Sequence, residues 1–348
     1  MRFSRFLFLG CLSLASLPVF AQTVNDLYQV REPVSSQSPD ERERATQAAL
    51  QTLVGRLTGS TKAAEGAALA EVRKNPQQII SQYGYEAGPP QTLLVDFDPA
   101  STDRSLRQAG LPIWGSNRPS MIGWWLIDST EGSNLVGDGQ PAAEPLRRAA
   151  QHRGLPLHLP LADLSEQSVA NAKSLSAADP AELKQASERY GTDAILAVHA
   201  REDAGKWQGE WRLWLGDQRE QGKATADTSE ALADAVLLAV SERLAPRFAV
   251  KPGSSASSQT LQVQGMNLER YAQLMRLLEP FGGKLLLVEG DKASFEVGAS
   301  AEQLRSQLSL AHLQEVPASE AAPVNAAATP QAPGAPVPAA SNTLYFRW

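Results

Sequence analysis

The chain has 348 residues, with 32 Lys and Arg against 38 Asp and Glu, a formal charge of −6. An acidic surface repels phosphate backbones and anionic headgroups, so neither nucleic acid nor direct membrane contact is an expected partner. The length exceeds that of one ordinary domain, and two or three compact units are expected.

Arg2 and Arg5, the apolar run Phe6 to Leu17 and the site Val19-Phe20-Ala21 read as a secretory signal peptide over 1–21, cleaved after Ala21. The run is too short for a ~30 Å hydrocarbon core, and no later segment approaches the ~20 apolar residues that a span needs. The expected location is the periplasm. The only cysteine, Cys11, lies in this leader. Cleavage removes it, and with it disulfides, thiolate metal sites and cysteine nucleophiles, although Leu9-Gly10-Cys11 offers the alternative of a lipidation site. The mature chain keeps 30 cationic against 38 anionic side chains, a formal −8.

Residues 22–118 form a first α+β unit. Tyr28, Val30 and Val34 suggest a strand. Ser38-Pro39-Asp40-Glu41 then opens a helix, with a serine cap, proline at the first position and a carboxylate at the third. Leu50, Leu53, Val54 and Leu57 recur at helical spacing up to Gly59. Ile79-Ile80 suggests a second short helix, Thr92 to Phe97 a strand, and Pro99 to Ala109 a helix closed by Gly110.

Several of these segments carry a family resemblance: Ala45, Ala48, Ala49 and Leu50 with Gly55-Arg56-Leu57-Thr58-Gly59, Tyr83-Gly84-Tyr85, Val95-Asp96-Phe97, and Ala109-Gly110-Leu111-Pro112-Ile113-Trp114-Gly115-Ser116-Asn117-Arg118-Pro119. Together they resemble the exported proteobacterial family labelled domain of unknown function 2066. The resemblance implies export and a multidomain architecture, and brings no activity or catalytic residues with it.

Residues 119–250 read as an α/β unit. Ile122 to Ile127 is a continuous apolar run suited to a buried strand, and Trp124-Trp125 within it are core residues. Ala142 to His152 is helical, Leu155 to Leu161 extended, and Asp179-Pro180-Ala181-Glu182 starts a helix running to Gly191. Thr192 to Ala200 and Trp207 to Leu215 form a hairpin across Asp203-Ala204-Gly205-Lys206, with Lys223 to Ala226 as a third strand. Ser229 to Leu244 is an amphipathic helix expected to end before Pro246.

Residues 251–258, with Pro252, Gly253 and four serines, are a linker. Over 259–317 the order is strand, helix, strand, strand, helix, strand, with a Ser300…Gln303 capping box at the second helix. This βαββαβ order predicts a C-terminal ferredoxin-like module. The fold class expected for the whole is therefore mixed α/β and α+β, multidomain. An Ala/Pro-rich tether follows over 318–342, too poor in large apolar groups to fold alone. It ends in an apolar strand, 343–348, where Leu344, Phe346 and Trp348 alternate on one face. That strand either completes a sheet of its own chain or pairs with a partner, so these three residues are candidate partner-binding residues.

Chemical motifs are sparse. Gly137-x-Gly139-x-x-Ala142 has the spacing of a dinucleotide loop, but its approach from Asp128 is long for a phosphate turn, and no cofactor is expected. No Gly-x-Ser-x-Gly, Walker or His-Glu-x-x-His pattern occurs. His152, His158, His199 and His312 are scattered, with no metal-ligand spacing. Asp96 and Asp98 share a strand face and, with His199, are the residues a cell-wall hydrolase would use; Asp98 before Pro99 reads rather as a helix cap, and neither aspartate is called catalytic. Trp207 and Trp211 share one hairpin face and could stack on sugar rings, the mark of a glycan-binding module, or form core. The expected function is non-enzymatic: a periplasmic protein binding other cell-envelope components, envelope proteins first. A cell-wall hydrolase or a glycan-binding module is the alternative.

Overall fold

The computed structural model describes residues 26–88, 90–129, 132–251, 259–321 and 343–348; the expected leader with Cys11, the expected linker beyond Lys251 and the expected tether from 322 to 342 lie outside them. Among the described residues, three sheets and the helices packed on them make a mixed α/β protein. No helix there is long and apolar enough to cross a membrane.

The first sheet comprises β1 (Gln29–Pro33), β2 (Ile80–Glu86) and β3 (Thr92–Phe97), antiparallel in the order β1-β3-β2. Leu93, Val95 and Phe97 alternate into the core, where they meet Leu50, Leu53, Val54 and Leu57 of α1 (Pro39–Thr58). The local chemistry of α1 is as read from the sequence: Ser38 Oγ accepts the Glu41 N–H at 3.3 Å, and Gly59 leaves the helix at φ +70°. Next come α2 (Ala70–Lys74) and α3 (Pro99–Gln108), the latter capped by Asp98. The helix expected at Ile79-Ile80 ends before it: a 3-10 turn over Pro76–Gln78 follows α2 and stops at Ile79, and Ile80 opens β2, because β3 offers that backbone a ladder.

The second sheet contains β4 (Met121–Ser129), β5 (Gly132–Leu135), β6 (Leu157–His158), β7 (Ala194–Asp203), β8 (Lys206–Leu215) and β9 (Gln218–Ala226). Its order is β5-β4-β7-β8-β9, with β6 also on β4; β4 runs parallel to β6 and β7, and the remaining pairs are antiparallel. Both faces are covered, which explains the unbroken apolar run of β4. On one face α4 (Ala143–Arg153) and α8 (Ser229–Phe248) enclose Met121, Trp125, Val198, Trp211 and Leu213. On the other, the short helices α5 (Leu164–Val169), α6 (Ala172–Leu175) and α7 (Ala181–Ser187) cover Ile122, Trp124, Leu126 and Trp214.

Helix α8 does not stop before Pro246 but continues to Phe248. A proline in the last turn removes one hydrogen bond, and the buried Phe248 ring, stacked on Trp114 at 5.9 Å, offsets that loss. The same helix presses on the end of α1: a Cβ built at Gly59 would lie 1.9 Å from Ala245 Cβ. Gly59→Ala is therefore expected to destabilise by about 2–4 kcal/mol, from overpacking plus a left-handed φ, read as a lower urea midpoint with an unchanged slope.

The third sheet holds β10 (Gln259–Gln264), β11 (Lys284–Glu289), β12 (Lys292–Val297), β13 (Gln314–Glu315) and β14 (Thr343–Arg347) in the order β11-β12-β10-β14-β13. Helices α9 (Leu268–Leu278) and α10 (Ala301–Leu310), with the predicted capping box of Ser300 and Gln303, cover one face, and a turn at α11 (Ala318–Ala321) follows β13. The sequence leads one to expect β13 beside β10. Instead β14 lies between them, parallel to β10 and antiparallel to β13.

Candidate functional site

The residues a hydrolase would need are employed elsewhere. Asp96 accepts the Gln29 and Gln82 side-chain amides at 2.7 and 2.8 Å, while Asp98 caps α3 by accepting the Ser101 N–H at 2.9 Å. The two carboxylates serve separate structural contacts rather than one reacting centre. His199 Nε2 meets Asp128 Oδ2 at 2.5 Å, and Ser133 Oγ donates to Asp128 Oδ1 at 2.5 Å. Burial pushes the Asp128 carboxyl up, but the bonds from Ser133 and His199 together with the His199 and Arg201 charges hold it below its ordinary range. The carboxylate thus stands between serine and imidazole, whereas an activated nucleophile needs the imidazole in the middle.

A second histidine lines a groove of about 590 Å³ between the first and second sheets. There Thr52 Oγ1 donates to Glu32 Oε1 at 2.8 Å, and His152 Nε2 lies 3.0 Å from Thr52 Oγ1 and 3.4 Å from Glu32 Oε1. Hydroxyl and carboxylate meet the same ring nitrogen, so no relay runs in series through the ring. His158 lies on β6, and His312 follows α10 at a positive φ. Among the described residues no group of three or more His, Cys, Asp or Glu could hold a metal ion.

Trp211 is 2 % exposed, its ring against Gly222 of β9, where a Cβ would come within 2.6 Å. Trp207 is half-buried against the same core. A sugar has no free indole face at Trp211. The Gly137 loop follows β5 rather than opening directly from β4, and a Cβ at Gly137 would lie 2.7 Å from Ala162 Cβ. The loop is thus packed on Leu161-Ala162, and its glycine serves that approach rather than a phosphate.

The Gly110 to Pro119 segment is the hub between the first two sheets. Ile113 and Val250 exchange both backbone hydrogen bonds, at 2.9 and 2.8 Å, and the Trp114 N–H donates to Leu57 O at 2.6 Å. Arg118 is 0 % exposed. Its guanidinium donates to the carbonyls of Gly115, Arg153, Gly154, Arg56 and Trp114 at 2.7 to 3.2 Å and stacks on the Trp114 ring at 4.2 Å. Arg56 beside it donates to the carbonyls of Asp26, Leu27, Gln29 and His152. Burial pushes Arg118 down to about 9, with the Arg56 charge adding to it, and Arg56 down to about 10. Both remain cations at neutral pH, and Arg118 sits at the carbonyl end of α4, where the helix dipole favours positive charge. The most distinctive motif of the chain is therefore a structural staple.

The third sheet brings together the residues suited to binding. Leu344, Phe346 and Trp348 pack with Leu261, Val263 and Phe295 on the helix-covered face, and Phe346 is 1 % exposed. The register on β10 is Leu261 beside Leu344 and Val263 beside Phe346, the Val316 N–H donates to Tyr345 O at 2.9 Å, and the Arg270 guanidinium lies 5.7 Å from the Trp348 ring centre. The sheet takes up an extended segment by backbone ladders on both sides and alternate side chains on one. At the opposite end β11 is an edge strand exposed along its whole length, a feature the sequence reading missed; its signal, four successive aliphatic residues between Lys284 and Glu289, was there to be read.

With the fold a mixed α/β one and β14 an interior strand of its third sheet, comparison with known proteins gives a family match over part of the chain. The model of a family described as domain of unknown function (DUF8605) matches residues 21–115. The segments that resemble domain of unknown function 2066 thus lie, up to Gly115, in a stretch that the model of a different family matches, and that resemblance is withdrawn. No curated protein matches the chain.

Proposed function

We propose that the chain is an exported, periplasmic, non-enzymatic protein that works by binding other cell-envelope components through its third sheet. The leader-like pattern of residues 1–21 supports export. One observation carries the binding: β14 enters between β10 and β13 as an interior strand, held by two ladders and by Leu344 and Phe346 in the core. Backbone pairing for affinity and alternate apolar pockets for specificity is the physics of strand addition. We read this unit as a ferredoxin-like βαββαβ module opened between its first and fourth strands; without β14 the order β13-β10-β12-β11 is the ferredoxin-like one. The tail occupies the slot in cis, and an envelope protein with an alternating apolar strand competes for it.

A photo-crosslinking residue in place of Gln262, which stands beside Tyr345 in the register, tests this in intact cells. The expected result is one crosslink within the chain and a second to another envelope protein, from a periplasmic species whose amino terminus is Gln22. Crosslinks confined to the chain itself, or a cytosolic species that retains Met1, would overturn the reading.

A further inference from the structure

The other edge of the third sheet carries an independent inference. Strand β11 reads Lys-Leu-Leu-Leu-Val-Glu, and Leu285, Leu286, Leu287 and Val288 are 41 to 55 % exposed in succession. An edge strand presents its outer row of backbone N–H and C=O groups, and sheets ordinarily guard such an edge with charge, proline or a short length. Here the middle of the edge is wholly aliphatic and the two charges stand at its ends. A contiguous exposed apolar stretch on an edge marks a surface that another strand covers.

We infer that this edge pairs with β11 of a second copy of the chain, antiparallel about a two-fold axis between Leu286 and Leu287. The argument is self-complementarity. In that register Lys284 faces Glu289 of the partner subunit, Leu285 faces the partner's Val288, and Leu286 faces the partner's Leu287. A two-fold axis then repeats every contact, as an isologous interface requires. The faces agree as well. On β12, Lys284 and Glu289 stand opposite Glu296 and Lys292, whereas Leu285 and Val288 stand opposite the core residues Phe295 and Ala293. Each outer pair therefore keeps to one side of the joined sheet. The ladder with β12 skips Leu286, and this one extra residue is what lets Lys284 and Glu289, five positions apart, fall on the same face, as the register across the axis requires. This pairing lies two strands away from the slot that β14 fills and stands whether or not that slot binds an envelope protein.

Sedimentation equilibrium of the purified chain tests the inference through charge exchange. The unaltered chain is expected to be a dimer. Lys284→Glu alone sets like charges against each other at both ends, as does Glu289→Lys alone, and each is expected to weaken the dimer about tenfold or more. The double variant Lys284→Glu, Glu289→Lys restores both opposite pairs. An equimolar mixture of the two single variants does so too, giving a heterodimer where neither variant pairs with itself. Each change also sets a like charge opposite Glu296 or Lys292 within its own chain, a cost that the mixture shares with its components, so the comparison of mixture with components isolates the pairing across the axis, and an unchanged circular dichroism spectrum checks the fold. A monomeric unaltered chain, a dimer indifferent to the single changes, or a mixture no tighter than its components would overturn the inference. So would a β11 edge that is covered only when another purified protein is added.

Discussion

Replacing Arg118 with methionine is expected to destabilise the protein by about 3–5 kcal/mol, lowering the melting temperature by roughly 10 °C. The side chain reaches five carbonyls contributed by the hub segment, the end of α1 and the end of α4. Methionine fills part of the volume but donates nothing, and buried acceptors left without partners cost about 1–3 kcal/mol each when they cannot reach water. Arg118→Lys is the sharper control: it keeps the charge but has no planar fork for carbonyls on separate segments, so most of the loss should remain. Differential scanning calorimetry of both variants decides the matter. A lysine variant as stable as the unaltered chain would show that charge alone, rather than the fork, holds the junction.

Shortening the chain to end at Ser341 is expected to open the third sheet. Removing β14 strips an interior strand from both its neighbours, and β13, two residues long, keeps no ladder without it. The milder Phe346→Ala change should cost about 3–5 kcal/mol, since the ring is fully buried among Leu261, Val263 and Phe295. Limited proteolysis reads both: new cuts are expected within 259–321, with the first two sheets untouched. A synthetic peptide of residues 342–348 added to the shortened chain should restore resistance, and Leu344→Asp in that peptide should abolish the rescue. Persistent resistance of the shortened chain without peptide would mean that the tail fills no essential place.

What could be read from residues alone tracks how local each interaction is. The start of α1, the capping box of α10, the hairpin of β7 and β8 and the buried run of β4 are settled within a few neighbouring positions, so Ser38, Ser300, Gly205 and the Ile122 to Ile127 run announce them. Strand β2 stayed hidden because it lies at an edge with most of its side chains in solvent, so Ser81, Gln82 and Tyr83 show no buried alternation. Helix α8 runs past Pro246 for a reason that sits 134 positions away from Phe248, at Trp114.

The site divides in the same way. The alternation of Leu344, Phe346 and Trp348 was plain, but the choice between own sheet and partner depended on β10 and β13, distant in sequence. Arg118 was visible as part of a distinctive motif. Its work was not, because its acceptors include the Arg56 carbonyl, 62 positions earlier, and the Gly154 carbonyl, 36 later. Asp98 before Pro99 already read as a helix cap, and the structure makes it one, whereas the partners of Asp96 and His199 lie too far along the chain to be named from sequence.

The mutual hydrogen bonds of Ile113 and Val250 have a mechanical consequence. Val250 ends the α8 connection just before the third sheet begins, while Trp114 is pinned to the end of α1 and Gln303 of α10 donates to Ala249 O at 2.7 Å. A pull applied between the first and third sheets therefore loads this crossing together with the packing of α10 on α8 and the bond from Asn117 to Gln307. In an optical-trap stretch these contacts should give way as an early step, with the ladders of the three sheets still paired behind it.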